Sequence, residues 1–387
     1  MLILFMLTLS VCSSAQTAGQ GALTASMRVI PLQHEHVHAS TIVMLPNGDY
    51  LAAWFQGSGE RTADDARIMG ARLVRGAPGW SAPFLMADTR GLPDCNPVLF
   101  MSRGGKLFLV WIAVEANRWE ASLLRCRTTR DYLSPGAPRW TWQDDILLKP
   151  DSSFRDVVTA AFRELPDSAG WGAYAPPYGR LITQAAGDPV KRSTGWMTRQ
   201  PPLVLPSGRI LLPLYSDGFN FSIVAVSDDD GDSWRPSHPI VGKGDVQPAL
   251  VMQKDGTVMA LMRDNGDAPS MLQVSRSRDQ GETWSVARKT AFPQTASVAA
   301  VALGDGRWAM VANGQSDGRY RLSLYLSSTE GSRWRRALVL EDAPGGRFSY
   351  PTMIRDDSGL LHITYSDNPV PGEEAIKYVV VDPRRLP

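Results

Sequence analysis

The stretch Ser227-Asp228-Asp229-Asp230-Gly231-Asp232-Ser233-Trp234 decides the fold. It returns fifty residues on as Ser277-Arg278-Asp279-Gln280-Gly281-Glu282-Thr283-Trp284, and after another fifty as the worn copy Ser327-Ser328-Thr329-Glu330-Gly331-Ser332-Arg333-Trp334. The pattern Ser-x-Asp-x-Gly-x-Ser/Thr-Trp suits a tight turn between two strands. Asp bonds amides across the turn, Gly takes positive φ, and Trp plugs a neighbouring layer. The fixed spacing marks a repeat protein.

A second periodicity runs through more of the chain. Six turns end in glycine and open an apolar strand: Asn47-Gly48, Gly104-Gly105, Ser207-Gly208, Asp255-Gly256, Asp305-Gly306 and Ser358-Gly359. Each follows another apolar stretch, so each reads as a β-hairpin whose arms are buried on both faces. The glycines lie 57, 103, 48, 50 and 53 residues apart. A repeat of about fifty residues holding four short strands is a propeller blade. The sequence therefore predicts an all-β, six-bladed β-propeller over residues 22–387, closed by the arm Met27 to Leu32 pairing with the last blade. The long interval predicts a lid-like insertion between blades 2 and 3, over about residues 149–197. In it Ser152 or Ser153 would cap a helix through Arg163, ended by Pro166. Trp171, Tyr174, Pro176, Pro177 and Tyr178 follow.

Composition narrows the classes of function. The 387 residues carry a net charge of +1 with no basic run, which argues against a nucleic-acid binder. The apolar run Leu2 to Val11, followed by Ser13-Ser14-Ala15, predicts a cleaved signal peptide over 1–15, although no Lys or Arg precedes it. The expected location is periplasmic or extracellular. No later stretch has the ~20 apolar residues of a membrane helix. Cys95 and Cys126 would either pair or stay as buried thiols, the second reading being preferred. His34, His36 and His38 share one face of a strand, but no carboxylate or cysteine cluster accompanies them, so a plain edge strand is preferred to a metal site.

In a propeller, equivalent positions on the innermost strands form a ring about the central channel. Nine residues before each turn glycine stand Ala39 (beside His38), Asn96, Arg199, Gln247, Ser297 and Tyr350. Seven residues after them stand Phe55, Ile112, Tyr215, Arg263, Asn313 and Ser366. This gathering of polar groups predicts a ligand pocket in the channel mouth. Arg319 and Arg321 lead into the third repeat, and two arginines around one pocket suit a carboxylate or sulfate. Asp64 and Asp65 follow the loop Gly57 to Arg61, where a carboxyl group would act as general acid or would start the strand as a turn residue.

The boxes resemble the Asp-box, or bacterial neuraminidase repeat, of the sialidase superfamily over roughly residues 36–382. The segments His38-Ala39-Ser40-Thr41-Ile42, Asn96-Pro97-Val98-Leu99-Phe100, Gln247-Pro248, Arg263-Asp264 and Phe348-Ser349-Tyr350-Pro351 resemble its bacterial sialidase-like branch. The resemblance implies Tyr350 as nucleophile, Arg263 and Arg319 as grips on the sugar carboxylate, and Asp65, or its neighbour Asp64, as acid/base. It also implies two departures: His38 replaces the first arginine of the usual three, and Gln247 replaces the glutamate that helps deprotonate the tyrosine. Gln is no base, so Asp245 or Asp264 would have to stand in, or the reaction differs.

The expected activity is removal of a terminal acidic sugar, sialic acid by default, from a sialoglycoconjugate or other acidic glycan. Tyr350 would attack, Asp65 would protonate, and His38 would complete the clamp when protonated. Asn96, Arg199 and Tyr215 would line the substrate site. No cofactor is implied. A lyase acting on uronic-acid polysaccharides and a carbohydrate-binding propeller without turnover are the alternatives.

Overall fold

The computed structural model describes residues 23–28, 36–166 and 178–387, with the backbone alone for 23–28 and 178. The expected leader and His34 lie outside the described residues. The strands form six antiparallel sheets, the blades of a β-propeller. Blade 1 runs His36–Met44, Tyr50–Gly57, Arg67–Leu73, Phe84–Ala87, and blade 2 runs Asp94–Met101, Leu107–Ala113, Leu123–Thr129, Trp142–Asp145. Blade 3 begins with two short pieces, Met197–Thr198 and Leu203–Val204, which both pair with Ile210–Ser216. In blade 6 the outermost strand is Leu23–Arg28, paired from Leu23↔Val381 to Arg28↔Lys377 with a register shift between Leu23 and Ala25. Ring closure thus comes from the N-terminal arm as expected, but on residues slightly earlier than Met27 to Leu32.

Second strands are buried along all or nearly all of their length, wholly so in Leu107–Ala113 and Ile210–Ser216. Their unbroken apolar runs face a neighbouring blade on each side. The repeated turns supply the mortar between blades. In the first, Ser227 Oγ receives the Gly231 amide at 2.9 Å, and Asp229 Oδ1 receives the Ser233 amide at 2.9 Å. The second turn repeats these bonds at Ser277, Gly281, Asp279 and Thr283. The third keeps the geometry with a hydroxyl for the carboxylate: Thr329 Oγ1 receives the Arg333 amide at 2.9 Å. The copy is worn in charge and intact in hydrogen bonding. Its tryptophans pack into the cores, Trp284 against the cluster of Leu205 and Leu211.

Among the described residues between blades 2 and 3 are three helices, α1 (Ser153–Glu164), α2 (Tyr178–Ala186) and α3 (Pro189–Ser193). Ser152 is the N-cap of α1 by position, but its side chain makes no capping bond. Asp151 does that work, accepting from the Ser153 amide at 2.8 Å, because a carboxylate is the stronger acceptor for a free helix amide. The helix ends at Glu164, just before Pro166 as expected. Phe154 packs against Trp196, Phe219 and Phe221, with centroids 5.6 to 6.2 Å apart, and Glu164 pairs with Arg288 at 3.6 Å. These contacts seat α1 on blades 3 and 4. Trp171, Tyr174, Pro176, Pro177 and the Tyr178 side chain lie outside the described residues. Cys95 and Cys126 are free, buried thiols.

Gly281 tests the mortar. It has φ +90°, and an added Cβ would stand 2.7 Å from Leu211 Cδ2 of blade 3. Gly256, at φ +86°, has nothing within 4 Å. We expect Gly281→Ala to lower stability by about 2–4 kcal/mol and Gly256→Ala by about 1 kcal/mol, read from urea unfolding. Equal losses would show that backbone conformation alone matters there.

Candidate functional site

Ala39, Asn96, Gln247 and Tyr350 all have positive φ, at 53°, 49°, 58° and 56°. Each sits where the innermost strand of its blade breaks register with the second strand. They are four of the six residues nine before a turn glycine, so at these four positions the ring predicted by counting is a repeated β-bulge. A bulge re-aims its residue and frees ladder groups. A bulky residue such as Tyr350 is rare at positive φ and needs support from its surroundings.

Arg199 supplies much of that support. It is 1% exposed, and its guanidinium donates to the carbonyls of Ser40, Tyr350 and Pro351. Gln200 and Asn313 add bonds to the carbonyls of Pro351 and Phe348. Arg199 also lies 4.9 Å from the Tyr350 ring centroid, and burial lowers its pKa to about 10. The expectation that it lines the substrate site is thereby corrected: its nitrogens hold the backbone of blades 1 and 6.

A polar chain crosses the ring. Asn96 Nδ2 donates to Tyr215 Oη at 3.2 Å, and Gln247 Nε2 lies 3.3 Å from Tyr215 Oη and 3.2 Å from Tyr350 Oη. Asn96, Tyr215 and Gln247 are 1–2% exposed. Asn96 and Tyr215, expected to touch substrate, instead form a layer behind Gln247. Burial and the neighbouring Tyr350 drive the Tyr215 phenol well above its ordinary range, so it is a neutral hydroxyl.

The groups facing the mouth are fewer. Arg263 Nη1 donates to Tyr350 Oη at 3.4 Å, and Arg319 lies 5.5 Å from the Tyr350 ring. Burial lowers the Arg319 pKa, with Arg263 and Arg347 adding to the effect. His38 leans on Tyr350 with ring centroids 4.2 Å apart. Burial, then His36, Arg319, Arg199 and Arg347, hold its pKa well below 6.5. A lowered pKa weighs against the cationic third grip expected of His38.

The expected acids are placed differently. Asp65 Oδ1 accepts from Ser58 N at 2.9 Å and Ser58 Oγ at 3.0 Å, and the Ser58 amide above all lowers its pKa. It closes the loop as a turn residue, its carboxyl held by Ser58. Asp64 accepts from Asn117 Nδ2. Neither stand-in base is available to Tyr350. Asp264 is taken by Lys289 at 2.7 Å and by Gln273, Gly266 and Met271. Asp245 is sealed, and burial raises its pKa well above the usual carboxylate range.

Sequence reasoning missed two residues. Glu60, on the loop quoted as Gly57 to Arg61, is half-buried and interacts electrostatically with Arg319. Within the described residues its side chain has no hydrogen bond or ion pair. Its own signal was its place between two glycine-loosened turns and the Asp pair. Arg347 stands one residue before the quoted Phe348-Ser349-Tyr350 and acts on both His38 and Arg319. The loop itself is tied to its neighbours, since Arg61 pairs with Asp217 at 2.8 Å and stacks 4.0 Å over Trp119.

The family model of the BNR repeat-like domain matches residues 48–170 and 187–363. The chain belongs to that family, a sialidase-like propeller family. A sialidase of Paraclostridium sordellii is 29% identical over 127 residues, 28% of this chain and 30% of that protein, so the match spans less than a third of the relative's length. Among solved structures, a protein of unknown function from Dyadobacter fermentans has a TM-score of 0.68 at 14% identity, covering 93% of this chain and 98% of that one. The NanB sialidase of Streptococcus pneumoniae, as its K499G mutant, has a TM-score of 0.66 at 13% identity, over 93% of this chain and 71% of that one. At these identities the structural likeness shows the fold.

Depressed imidazoles make stability depend on pH. His38 and His362 both have lowered pKa values, chiefly through burial, so the unfolded chain binds their protons better. Their contribution is full above 6.5 and is lost as pH falls from 6.5 toward the folded values. We expect melting temperatures to drop between pH 7.5 and 5.5, and His38→Asn to remove at most about 1.4 kcal/mol per pH unit of that slope. An unchanged slope in the variant would show that His38 titrates normally.

Proposed function

We propose that the protein is an exported, sialidase-like exo-glycosidase that removes a terminal acidic sugar from a glycoconjugate, with α-linked sialic acid the first candidate. One observation carries the reading: the guanidiniums of Arg263 and Arg319 converge on the mouth-facing phenol Tyr350. Planar guanidiniums suit a carboxylate, and a phenol approaches an anomeric carbon bearing a carboxylate with less repulsion than an aspartate would. In this reading Tyr350 Oη attacks the anomeric carbon as the bond to the leaving oxygen breaks. The leaving oxygen takes its proton from the loop over residues 57–65, on which Glu60 is the carboxyl group left without a partner among the described residues. Water then releases the sugar with retention. With Gln247 unable to accept the phenol proton, neutral His38 is assigned that role.

The same neutral imidazole favours a second reading. On a uronate, Arg263 and Arg319 would neutralise the carboxylate while His38 or Tyr350 removes the adjacent proton in a β-elimination. The relatives named as sialidases support the first reading, and the exchanges at positions 38 and 247 support the second.

Hydrolysis of a fluorogenic α-sialoside is the test. We expect turnover by the wild type and a loss of about a thousandfold or more in Tyr350→Phe. Glu60→Gln should slow release with a natural leaving group more than with the activated one. Wild-type inactivity together with an unsaturated uronate product from uronic-acid polysaccharides would transfer the assignment to elimination. Ligand retained unchanged by the wild type, and bound less well by Tyr350→Phe, would make the propeller a binding module.

A further inference from the structure

The seam between blades 3 and 4 is filled by ion pairs. Across the strands Ile210–Ser216, Phe221–Ser227 and Arg235–Pro236 of blade 3, Leu211 stands opposite Val226 and Val226 opposite Arg235. Residues directly opposite share one face of a sheet. That face meets the second repeated turn, where a Cβ on Gly281 would press on Leu211. Arg235 closes the seam, pairing with Glu282 at 2.5 Å and Asp228 at 3.1 Å. Arg209 holds the same two carboxylates at 2.8 and 2.6 Å.

The seam between blades 2 and 3 follows the same plan and ends differently. Phe108 stands opposite Thr128 and Thr128 opposite Trp142, and this face meets the first repeated turn, where a Cβ on Gly231 would press on Phe108. Lys106 thus corresponds to Arg209, Asp232 to Glu282, and Trp142 to Arg235. Lys106 keeps its pairing, at 2.6 Å from Asp232 Oδ1. An indole carries no charge, so the second pairing is lost. Among the described residues Asp232 Oδ2 has no partner, and the Trp142 side chain makes no hydrogen bond. The indole is 45% exposed. Where the next seam holds ion pairs, this one holds two adjoining cavities of about 280 and 500 Å³ that share Lys106 and Thr128. Trp142 and Asp232 line the first, and Thr141 and Asp131 the second.

We infer that this groove is a second ligand site, for a neutral pyranose unit of a glycan. The indole face takes the C–H face of the sugar ring, and Asp232 Oδ2 accepts from hydroxyls at the ring's edge. Aromatic lining with a few placed polar groups is the usual make-up of a small-ligand site. The ligand is neutral because each cation here already has its anion: Lys106 with Asp232, Arg130 with Asp230 at 3.7 Å, and Arg139 with Asp131 at 3.5 Å. The groove is away from the mouth. Phe108 stands opposite Phe100, four strand residues beyond Asn96 of the ring, or roughly 13 Å. It binds without cleaving, and it stands or falls independently of the reading proposed for Tyr350.

Saturation-transfer NMR and calorimetric titration of the full chain test this. The probes are methyl β-galactoside, lactose and cellobiose, with sorbitol as a polyol that has no ring face. We expect at least one pyranoside to bind with a Kd of about a millimolar, and sorbitol to be ignored. Trp142→Ala should weaken binding about tenfold or more, and Trp142→Phe should keep part of it. Trp142→Arg recreates the next seam's pairing, here with Asp232. It should abolish binding while the urea midpoint stays at or above that of the wild type, which separates a closed groove from a misfolded one. Sugar that still binds Trp142→Ala and is lost from Arg263→Gln would be bound at the mouth and would overturn the inference. Failure of all three pyranosides to bind, or sorbitol binding equally well, would do the same. Self-association without sugar binding, removed by Trp142→Arg in sedimentation, would give the groove to a second copy of the chain instead.

Discussion

Holding Tyr350 at φ 56° costs the backbone about 1–3 kcal/mol, and the same left-handed turn recurs at Ala39, Asn96 and Gln247. Without it, a residue at this point of an innermost strand would alternate between two blade faces and pack into apolar core. With it, the side chain is turned toward the axis. The bulge also releases carbonyls from the ladder, and buried carbonyls need partners. Arg199, Gln200, Thr198, Thr352 and Asn313 meet that need from neighbouring or facing blades. The strain is local and its support is shared around the ring, which couples the site to the integrity of the whole propeller.

The electrostatics follow from that support. Arg199 must cross beneath Tyr350 to reach the carbonyls of blades 1 and 6, so a buried cation lies 4.9 Å from the ring. Arg319 lies on the same ring at 5.5 Å. Cations near an aromatic ring are attracted by its quadrupole. Burial above all, then His36, Arg319 and Arg199, lowers the pKa of the imidazole beside Tyr350. Arg199, held by the ring's carbonyls, adds a buried guanidinium beside Tyr350 to those of Arg263 and Arg319.

The fold was legible because its signals are local. A turn needs Asp, Gly and Ser/Thr within one octapeptide, and a hairpin needs glycine between two apolar arms; both recur at a fixed interval. Counting nine residues back from the turn glycines even found the four bulges, since equivalent strands have equivalent lengths. Roles across the axis were not legible. Arg199 and Arg263 are both arginines at ring positions, and only the facing carbonyls of Ser40, Tyr350 and Pro351 separate a brace from a grip. Asp65 looked like an acid because of its loop, yet Ser58, seven residues earlier, claims its oxygen. Glu60 and Arg347 each stood next to a residue already singled out. Their electrostatic action on Arg319 runs across the ring, and no spacing along the chain encodes it.

Gln247 joins these threads. A glutamate in its place would bring a negative charge into contact with Tyr350 and within reach of Arg263, neutralising part of the cationic cluster while providing a base. The amide keeps the hydrogen-bonded position between Tyr215 and Tyr350 and gives up both the charge and the basicity. Its oxygen is buried without a partner in the described orientation. The reversed amide would let that oxygen accept a phenol proton in a hydrogen bond, so the chain from Asn96 to Tyr350 suits two neutral phenols better than one phenolate. The exchange therefore moves the site toward a phenol that keeps its proton until another group takes it, and a neutral imidazole beside the phenol is the complement of that change.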